Sequence, residues 1–113
     1  MSISILHVAY VPALLQTRQV MLEKNGYTVI SALGNDEAIA LASSAHFDLA
    51  VVSSSAPPAV RSEMVRWLKQ HIPDVHIVAL LAFEHVRLLD VDCAVLSDSR
   101  DWLAAIADCV KQP

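Results

Sequence analysis

The stretch Phe47–Pro57, FDLAVVSSSAP, determines how the rest of the chain is interpreted. Leu49–Val52 are four consecutive apolar residues, and three serines and two prolines follow them almost at once. A short apolar run without polar alternation predicts a strand that is buried on both faces of a sheet. In open α/β sheets, ligands bind at the carboxyl ends of such strands. We therefore expect Ser53 to stand at the edge of the sheet where chemistry takes place.

Composition and charge exclude several classes of protein. The chain has 113 residues, of which 55% are hydrophobic, and this is enough for one domain whose sheet is covered on both faces. Its net charge of -4 argues against nucleic acid as the main partner. Apolar runs are far shorter than a membrane span, and no basic residue precedes Arg18 as a signal peptide would require. We expect one cytoplasmic domain, residues 1–113, which binds neither membrane nor nucleic acid; whether it belongs to a longer regulator stays open.

Strand-like and helix-like patterns alternate along the whole chain. Four further apolar runs predict strands at Ile3–Val8, Tyr27–Ala32, His76–Ala82 and Ala94–Leu96. Helical periodicity fills the intervals, and Asn35 is placed to cap the second helix. Residues 83–89 leave room for one or two helical turns, and Ser97 or Ser99 can cap the last helix. Alternation with short connections predicts a parallel sheet between two layers of helices, a three-layer α/β/α sandwich.

The chain resembles the receiver domain of two-component response regulators, a flavodoxin-like phosphoacceptor module, over essentially its whole length. The resemblance is carried by ILHV followed by Pro12, and by NGYTVISA, FDLAVVSSSAPP and VHIVALLAF in this order and spacing. It implies a (βα)5 fold whose five-stranded parallel sheet has the order 2-1-3-4-5. The interval between the fourth and fifth strands is shorter than in typical receivers, so the fourth helix is expected to be shortened.

The positions that carry the chemistry of receivers hold other residues in this chain. The resemblance implies an acidic pair after the first strand for Mg²⁺, a phosphoacceptor aspartate at the end of the third strand, and a threonine or serine ending the fourth. It also implies a lysine after the fifth strand and an aromatic switch residue within it. In this order, the six positions hold Ala9, Tyr10, Ser53, Leu81, Asp98 and Val95.

These replacements remove the requirements of phosphoryl transfer together. Mg²⁺ prefers hard oxygen ligands with one or two carboxylates, whereas Ala9 offers none and Tyr10 offers a neutral phenol. A serine cannot form the acyl phosphate that an aspartate forms, and a carboxylate at Asp98 would repel a phosphoryl group. We therefore predict a degenerate pocket that binds no Mg²⁺ and no other cofactor. We predict no enzyme activity, and a role as a protein-interaction or dimerisation module in bacterial signalling.

Two other functions stay open at the level of sequence. The first is a phosphoacceptor receiver that uses a shifted residue, either Asp48 or Asp98. The second is a STAS-type regulator phosphorylated on a serine, because Ser53–Ser55 faintly resembles the serine turn of that class. A small-molecule enzyme has less support, since we find no nucleophile–base pair, glycine-rich phosphate loop or cofactor fingerprint.

Several other side chains have two interpretations, of which the structural one is preferred. Cys93 and Cys109 are predicted to be reduced packing residues. Trp67 and Trp102 fall on helical stripes and are predicted to lie in the core. Tyr10 is predicted either to contact a partner or to cover the vacated pocket, and the two are equally favoured. A basic face on the third helix, predicted to be solvated, consists of Arg61, Arg66 and Lys69.

Overall fold

A computed structural model of the chain describes residues 3–81, 91–96 and 102–111. Strands and helices alternate as far as β4, which is followed in the described residues by β5 and the last helix: β1 Ser4–Ala9, α1 Pro12–Lys24, β2 Thr28–Leu33, α2 Asn35–Ser44, β3 Leu49–Val52, α3 Pro58–His71, β4 His76–Leu81, β5 Cys93–Leu96 and α4 Trp102–Lys111. The predicted short helix at 83–89 and the proposed caps Ser97 and Ser99 lie outside the described residues. The predicted shortening of the helix between the fourth and fifth strands therefore stays a prediction.

The five strands form one parallel sheet in the order β2-β1-β3-β4-β5. β1 pairs with β2 from Ser4 opposite Thr28 to Ala9 opposite Leu33, and with β3 from Ile5 opposite Leu49 to Val8 opposite Val52. All four residues of β3 are buried, as a strand with neighbours on both sides and helices on both faces should be. The predicted strand order and flavodoxin-like architecture are therefore confirmed.

Side chains of alternate strand residues build a core on each face of the sheet. On one face, Ile5, Val51 and Leu80 pack with α1 and α4, through Leu22 and Ile106. The opposite core packs against α2 and α3 and includes Leu6, Val8, Val52, Ala38, Met64 and Leu68. Within the described ranges, no helix is long and apolar enough to cross a bilayer.

Local sequence explains most of the helix ends, with one correction. Pro12 stands in the first turn of α1, where its missing N–H costs nothing, and Gly26 adopts a φ of +92° just beyond the helix. α2 begins at Asn35, but its N-cap is Gly34, and no side chain caps it. The predicted capping role of Asn35 is therefore wrong, because its side chain amide bonds elsewhere, as described below.

The cysteine prediction is also wrong. Cys93 in β5 and Cys109 in α4 form a disulfide, with Cα atoms 6.3 Å apart, which ties the last helix to the edge strand. Trp102 is buried in the adjoining core, as predicted. Trp67 only borders the other core, and its ring stacks on that of His71 with centroids 4.4 Å apart.

Candidate functional site

Four of the six positions singled out in the sequence meet at the carboxyl edge of the sheet. Ala9 ends β1, and Tyr10 follows it. Ser53 follows β3, and its N–H donates to the carbonyl of Val8 over 2.9 Å. Leu81 ends β4, the other neighbour of β3. Ala9, Ser53 and Leu81 are all buried, so this edge carries a methyl group, a hydroxyl and an isobutyl group.

The remaining two positions differ in what the structure describes. Val95 lies in β5 and is buried in the core beneath α1 and α4, alongside Trp102. Asp98 lies outside the described residues. Val95 therefore contributes an ordinary apolar side chain to the core.

A buried arginine from α1 contacts the serine at the end of β3. The Nη1 atom of Arg18 donates a hydrogen bond of 2.6 Å to the Oγ atom of Ser53. Ser53 is fully buried and Arg18 is 9% exposed. Burial lowers the pKa of Arg18, since an apolar environment disfavours the charged guanidinium. Even so, an arginine keeps its proton at physiological pH, so a positive charge stands beside Ser53.

A histidine lies beneath the same helix. His7, in the middle of β1, is fully buried, and its Nδ1 atom is 3.0 Å from the Oγ atom of Ser31 in β2. Its Nε2 atom has no hydrogen-bond partner among the described residues. Burial and, to a smaller extent, the nearby charge of Arg18 together lower the pKa of His7 to about 4. His7 is therefore neutral at pH 7, and the local positive charge is that of Arg18.

A second buried arginine approaches the same loop from the opposite face of the sheet. Arg61 of α3 donates from Nε to the carbonyl of Ala56 over 2.9 Å, and from Nη1 to the carbonyl of Leu80 over 3.5 Å. Its side chain is 3% exposed, so its predicted place on a solvated basic face is wrong. Arg66 is exposed and Lys69 is half-buried. Burial lowers the pKa of Arg61, partly offset by the neighbouring Tyr10.

Tyr10 belongs to a hydrogen-bond chain that links three elements. Its hydroxyl donates to Oδ1 of Asn35 over 2.7 Å, and Nδ2 of Asn35 donates to the carbonyl of Val60 over 2.9 Å. The chain joins the end of β1 to the first turns of α2 and α3. Burial raises the pKa of Tyr10 to about 12, against a smaller opposing effect of Arg61. The phenol is therefore a neutral hydrogen-bond donor rather than an anionic metal ligand.

The residues at this edge do not fit the Mg²⁺ ion that the receiver fold implies. Mg²⁺ in proteins is usually held by one or two carboxylates in octahedral geometry, and Ala9, Tyr10, Ser53 and Leu81 supply none. A divalent ion held about 5 Å from a guanidinium would be repelled by roughly 7 kcal/mol at an effective dielectric constant of about 20. Nor do the described residues bring together three His, Cys, Asp or Glu side chains as a metal site would.

The two arginines are the residues that the sequence interpretation overlooked, although a signal for each was present. Arg18 lies four residues after Leu14 and four before Leu22, on the apolar stripe of α1. Arg61 lies three residues before Met64, also on a buried stripe. A basic residue on a stripe that faces the core must direct its charge to a polar partner inside the fold.

The described architecture is that of CheY-like receiver domains of response regulators. The response regulator TrrA of Thermotoga maritima, in a structure with Mg²⁺ and BeF, matches with a TM-score of 0.82 and 24% identity. The match covers 97% of this chain and 99% of that one. CheY4 of Vibrio cholerae matches with a TM-score of 0.84 and 18% identity, over 96% and 99% of the two chains.

A receiver domain from Methanospirillum hungatei extends the same result, with a TM-score of 0.82 and 21% identity over 97% of this chain and 94% of that one. No protein-family model matches the chain, and no curated protein sequence does. At these identities the structural matches establish the fold. What the domain does depends on its own residues.

Proposed function

We propose that this chain is a degenerate receiver domain, residues 1–113, that accepts no phosphoryl group and acts by binding a protein partner or a second copy of itself. The observation that carries the proposal is the hydrogen bond from Arg18 to Ser53. In a conventional receiver, a carboxylate at this place attacks the phosphodonor with the help of Mg²⁺. Here a buried serine hydroxyl is engaged by a fixed cation.

Electrostatics support the loss of phosphorylation. A serine attacks a phosphodonor only with a positioned base or a lowered pKa. The side chain that contacts Ser53 is a guanidinium, which cannot accept a proton. His7 lies on the same face, but its hydrogen bond is to Ser31 and not to Ser53. Among the described residues, this edge therefore offers neither a carboxylate for a metal nor a base hydrogen-bonded to Ser53, and we propose that the domain is no enzyme.

The shifted phosphoacceptor finds little support at Asp48. This residue precedes β3 and so stands at the amino edge of the sheet, opposite Ser53. Its Oδ2 atom accepts the N–H of Ser4 over 2.9 Å, and His46 lies 3.2 Å from Oδ1. The backbone hydrogen bond from Ser4 is the main cause that lowers the pKa of Asp48. Its carboxylate therefore stabilises the start of β1 and β3.

The STAS-type alternative has less structural support. The alternation of strand and helix from β1 to β4 and the all-parallel sheet match the order expected of a receiver. Ser53 is fully buried, whereas Ser55 is exposed, so a kinase would reach Ser55 more readily than Ser53. Modification of Ser55 would leave the receiver fold in place.

A protein partner is the remaining means of signalling. TrrA of Thermotoga maritima has been solved in complex with the histidine kinase ThkA, and its chain matches this one with a TM-score of 0.82 and 23% identity. We propose that this domain likewise recognises a signalling protein, in the cytoplasm. A cytoplasm keeps most thiols reduced, so there the bond between Cys93 and Cys109 would have to resist or escape reduction.

The direct test is exposure to small phosphodonors. The purified chain is incubated with acetyl phosphate and Mg²⁺, and its intact mass is measured. Beryllofluoride with Mg²⁺ is titrated in parallel, with the fluorescence of Trp67 and Trp102 as the readout. TrrA, which binds Mg²⁺ and BeF in its own structure, serves as the positive control. We expect no mass gain and no saturable fluorescence change.

A gain of one phosphoryl group under conditions that modify TrrA would overturn the proposal. Peptide mapping would then assign the modified residue among Asp48, Asp98 and the serines. A saturable, Mg²⁺-dependent response to beryllofluoride would equally contradict it, because that complex requires a carboxylate and a metal together.

A further inference from the structure

An open cavity of about 350 Å³ lies between the start of α2 and the first turns of α3. Tyr10 and Asn35 line it, together with Leu33, Val60, Asp36 and Glu63. It adjoins the carboxyl edge that carries Ser53, and Tyr10 belongs to both. Neither Arg18 nor Arg61 lines it, so the two buried cations do not occupy this cavity.

The polar groups of Tyr10 and Asn35 are already committed to each other. The hydroxyl of Tyr10 donates to Asn35, and the amide of Asn35 donates to the carbonyl of Val60. These bonds hold β1, α2 and α3 in register around the cavity. A site held by its own hydrogen bonds keeps its shape before binding, which reduces the ordering cost on association.

The walls of the cavity combine exposed apolar surface with two carboxylates that form no ion pair among the described residues. Leu33 at the end of β2 is 40% exposed, as is Ile30 in the same edge strand. Asp36 of α2 and Glu63 of α3 are exposed on different helices, and neither has an ion-pair partner among the described residues. Glu37, by contrast, accepts the backbone N–H of Leu33 over 3.3 Å. Two carboxylates thus flank an apolar wall.

We propose that this cavity receives an arginine or lysine side chain from an extended segment of a partner protein. The aliphatic stem of such a residue covers apolar surface while its charged head stays at the polar margin, which matches Leu33 and Val60 below two carboxylates. The net charge of -4 on the chain favours the approach of a basic segment. The inference rests on the proposed function and assigns to it a surface and a partner chemistry.

Binding of a short basic peptide tests this surface directly. The probe is the acetylated and amidated tripeptide Ala-Arg-Ala, and Ala-Gln-Ala is the uncharged control of similar length. Both are titrated into the ¹⁵N-labelled chain and followed by amide chemical shifts. We expect saturable shifts at Gly34, Asn35, Asp36 and Glu63 with the arginine peptide, weakening as salt is added. The glutamine peptide should produce little change at the same amides.

Charge-neutral variants assign the effect to the two carboxylates. The double substitution Asp36→Asn and Glu63→Gln should weaken binding about two- to thirtyfold, because each exposed ion pair is worth roughly 0.2–1 kcal/mol. Glu23→Gln is the matched control, since Glu23 is exposed on α1 and lies outside the cavity. Equal binding to the double variant and the original chain would overturn the inference, as would an equal loss with Glu23→Gln.

Other occupants would give different results. Shifts at the same amides with Mg²⁺ or Ca²⁺ alone, and none with the arginine peptide, would reassign the cavity to a cation and overturn the proposal. Concentration-dependent shifts in the absence of peptide, abolished by the double variant, would assign it to a second copy of the chain and likewise overturn it. Neither result depends on phosphodonors, so failure here is distinguishable from failure of the proposed function.

Discussion

The guanidinium of Arg18 lies 2.6 Å from the hydroxyl of Ser53, and both side chains are buried. The bond joins the middle of α1 to the end of the central strand β3. The contact therefore supplies a ready partner for any carboxylate introduced at position 53.

Ser53→Asp should stabilise the chain by about 1–2 kcal/mol at pH 7. The introduced carboxylate would accept a charge-assisted hydrogen bond from Arg18 in place of a neutral one. Arg18 should lower the pKa of that carboxyl group, so the gain is present above about pH 4 and is lost as pH falls through the folded-state value. Urea unfolding at pH 7 and pH 3 measures both effects.

A double-mutant cycle with Arg18→Met separates this ion pair from other consequences of the substitution. In the Arg18→Met background, Ser53→Asp leaves a buried carboxylate without its cation, and we expect a loss of about 3–5 kcal/mol. Equal effects of Ser53→Asp in the two backgrounds would show that Arg18 and residue 53 do not interact.

The chain should lose stability as the pH falls below about 7 because of His7. The unfolded chain takes up this proton near pH 6.5, whereas the buried imidazole takes it up only near pH 4. Between these values the unfolded state binds more protons, so the free energy of unfolding falls as the pH falls. The contribution of His7 amounts to about 3 kcal/mol once pH 4 is passed.

His7→Gln should remove this part of the pH dependence, measured by urea unfolding between pH 7.5 and pH 4. Ser31→Ala is the control, because it deletes the hydrogen-bond partner of Nδ1 and keeps the buried imidazole. It should preserve most of the slope. An unchanged slope in His7→Gln would assign the dependence to other groups.

Tyr10→Phe should cost about 1 kcal/mol, the usual net contribution of one hydrogen bond. Asn35→Ala should cost about 2 kcal/mol, because Asn35 bonds to both Tyr10 and Val60. Thermal and urea unfolding measure the two losses. The double variant should lose less than the sum of the single ones, since both remove the same bond. Strict additivity would contradict the hydrogen-bond chain.

Reduction of the bond between Cys93 and Cys109 should lower the free energy of unfolding by about 3 kcal/mol, given a separation of 16 residues. The chain purified without reductant should be two hydrogens lighter than the reduced chain by intact mass. Cys93→Ser with Cys109→Ser should reproduce the stability of the reduced chain and be insensitive to dithiothreitol. Two alkylatable thiols in the unreduced chain would contradict the disulfide.

The apolar pattern was sufficient to predict the fold because β1, β3 and β4 are short buried runs and each helix repeats its core contacts. Leu49–Val52 proved fully buried, and the strand order followed from the resemblance. The disulfide was not predictable on the same basis. Cys109 falls on the apolar face of α4, and nothing in the sequence says that this face meets Cys93 in β5.

The sequence predicted which residues lie at the site, but it did not predict the hydrogen bonds that these residues make. The apolar run before it placed Ser53 at the carboxyl edge, the resemblance placed Ala9 and Tyr10 there, and the structure has all three at this edge. The places of the buried arginines were not predicted, because basic residues usually lie on solvated faces. This rule fails when a long side chain reaches a polar atom inside the fold. Arg18 reaches Ser53, and Arg61 reaches Ala56 and Leu80.

The loop after β3 is held from both sides of the sheet, at Ser53 by α1 and at Ala56 by α3. Under the function proposed above, a loop anchored in this way would not move in response to a chemical signal. The influence of the domain would then depend on its abundance and on competitors for the same surface, so that it would titrate its partner.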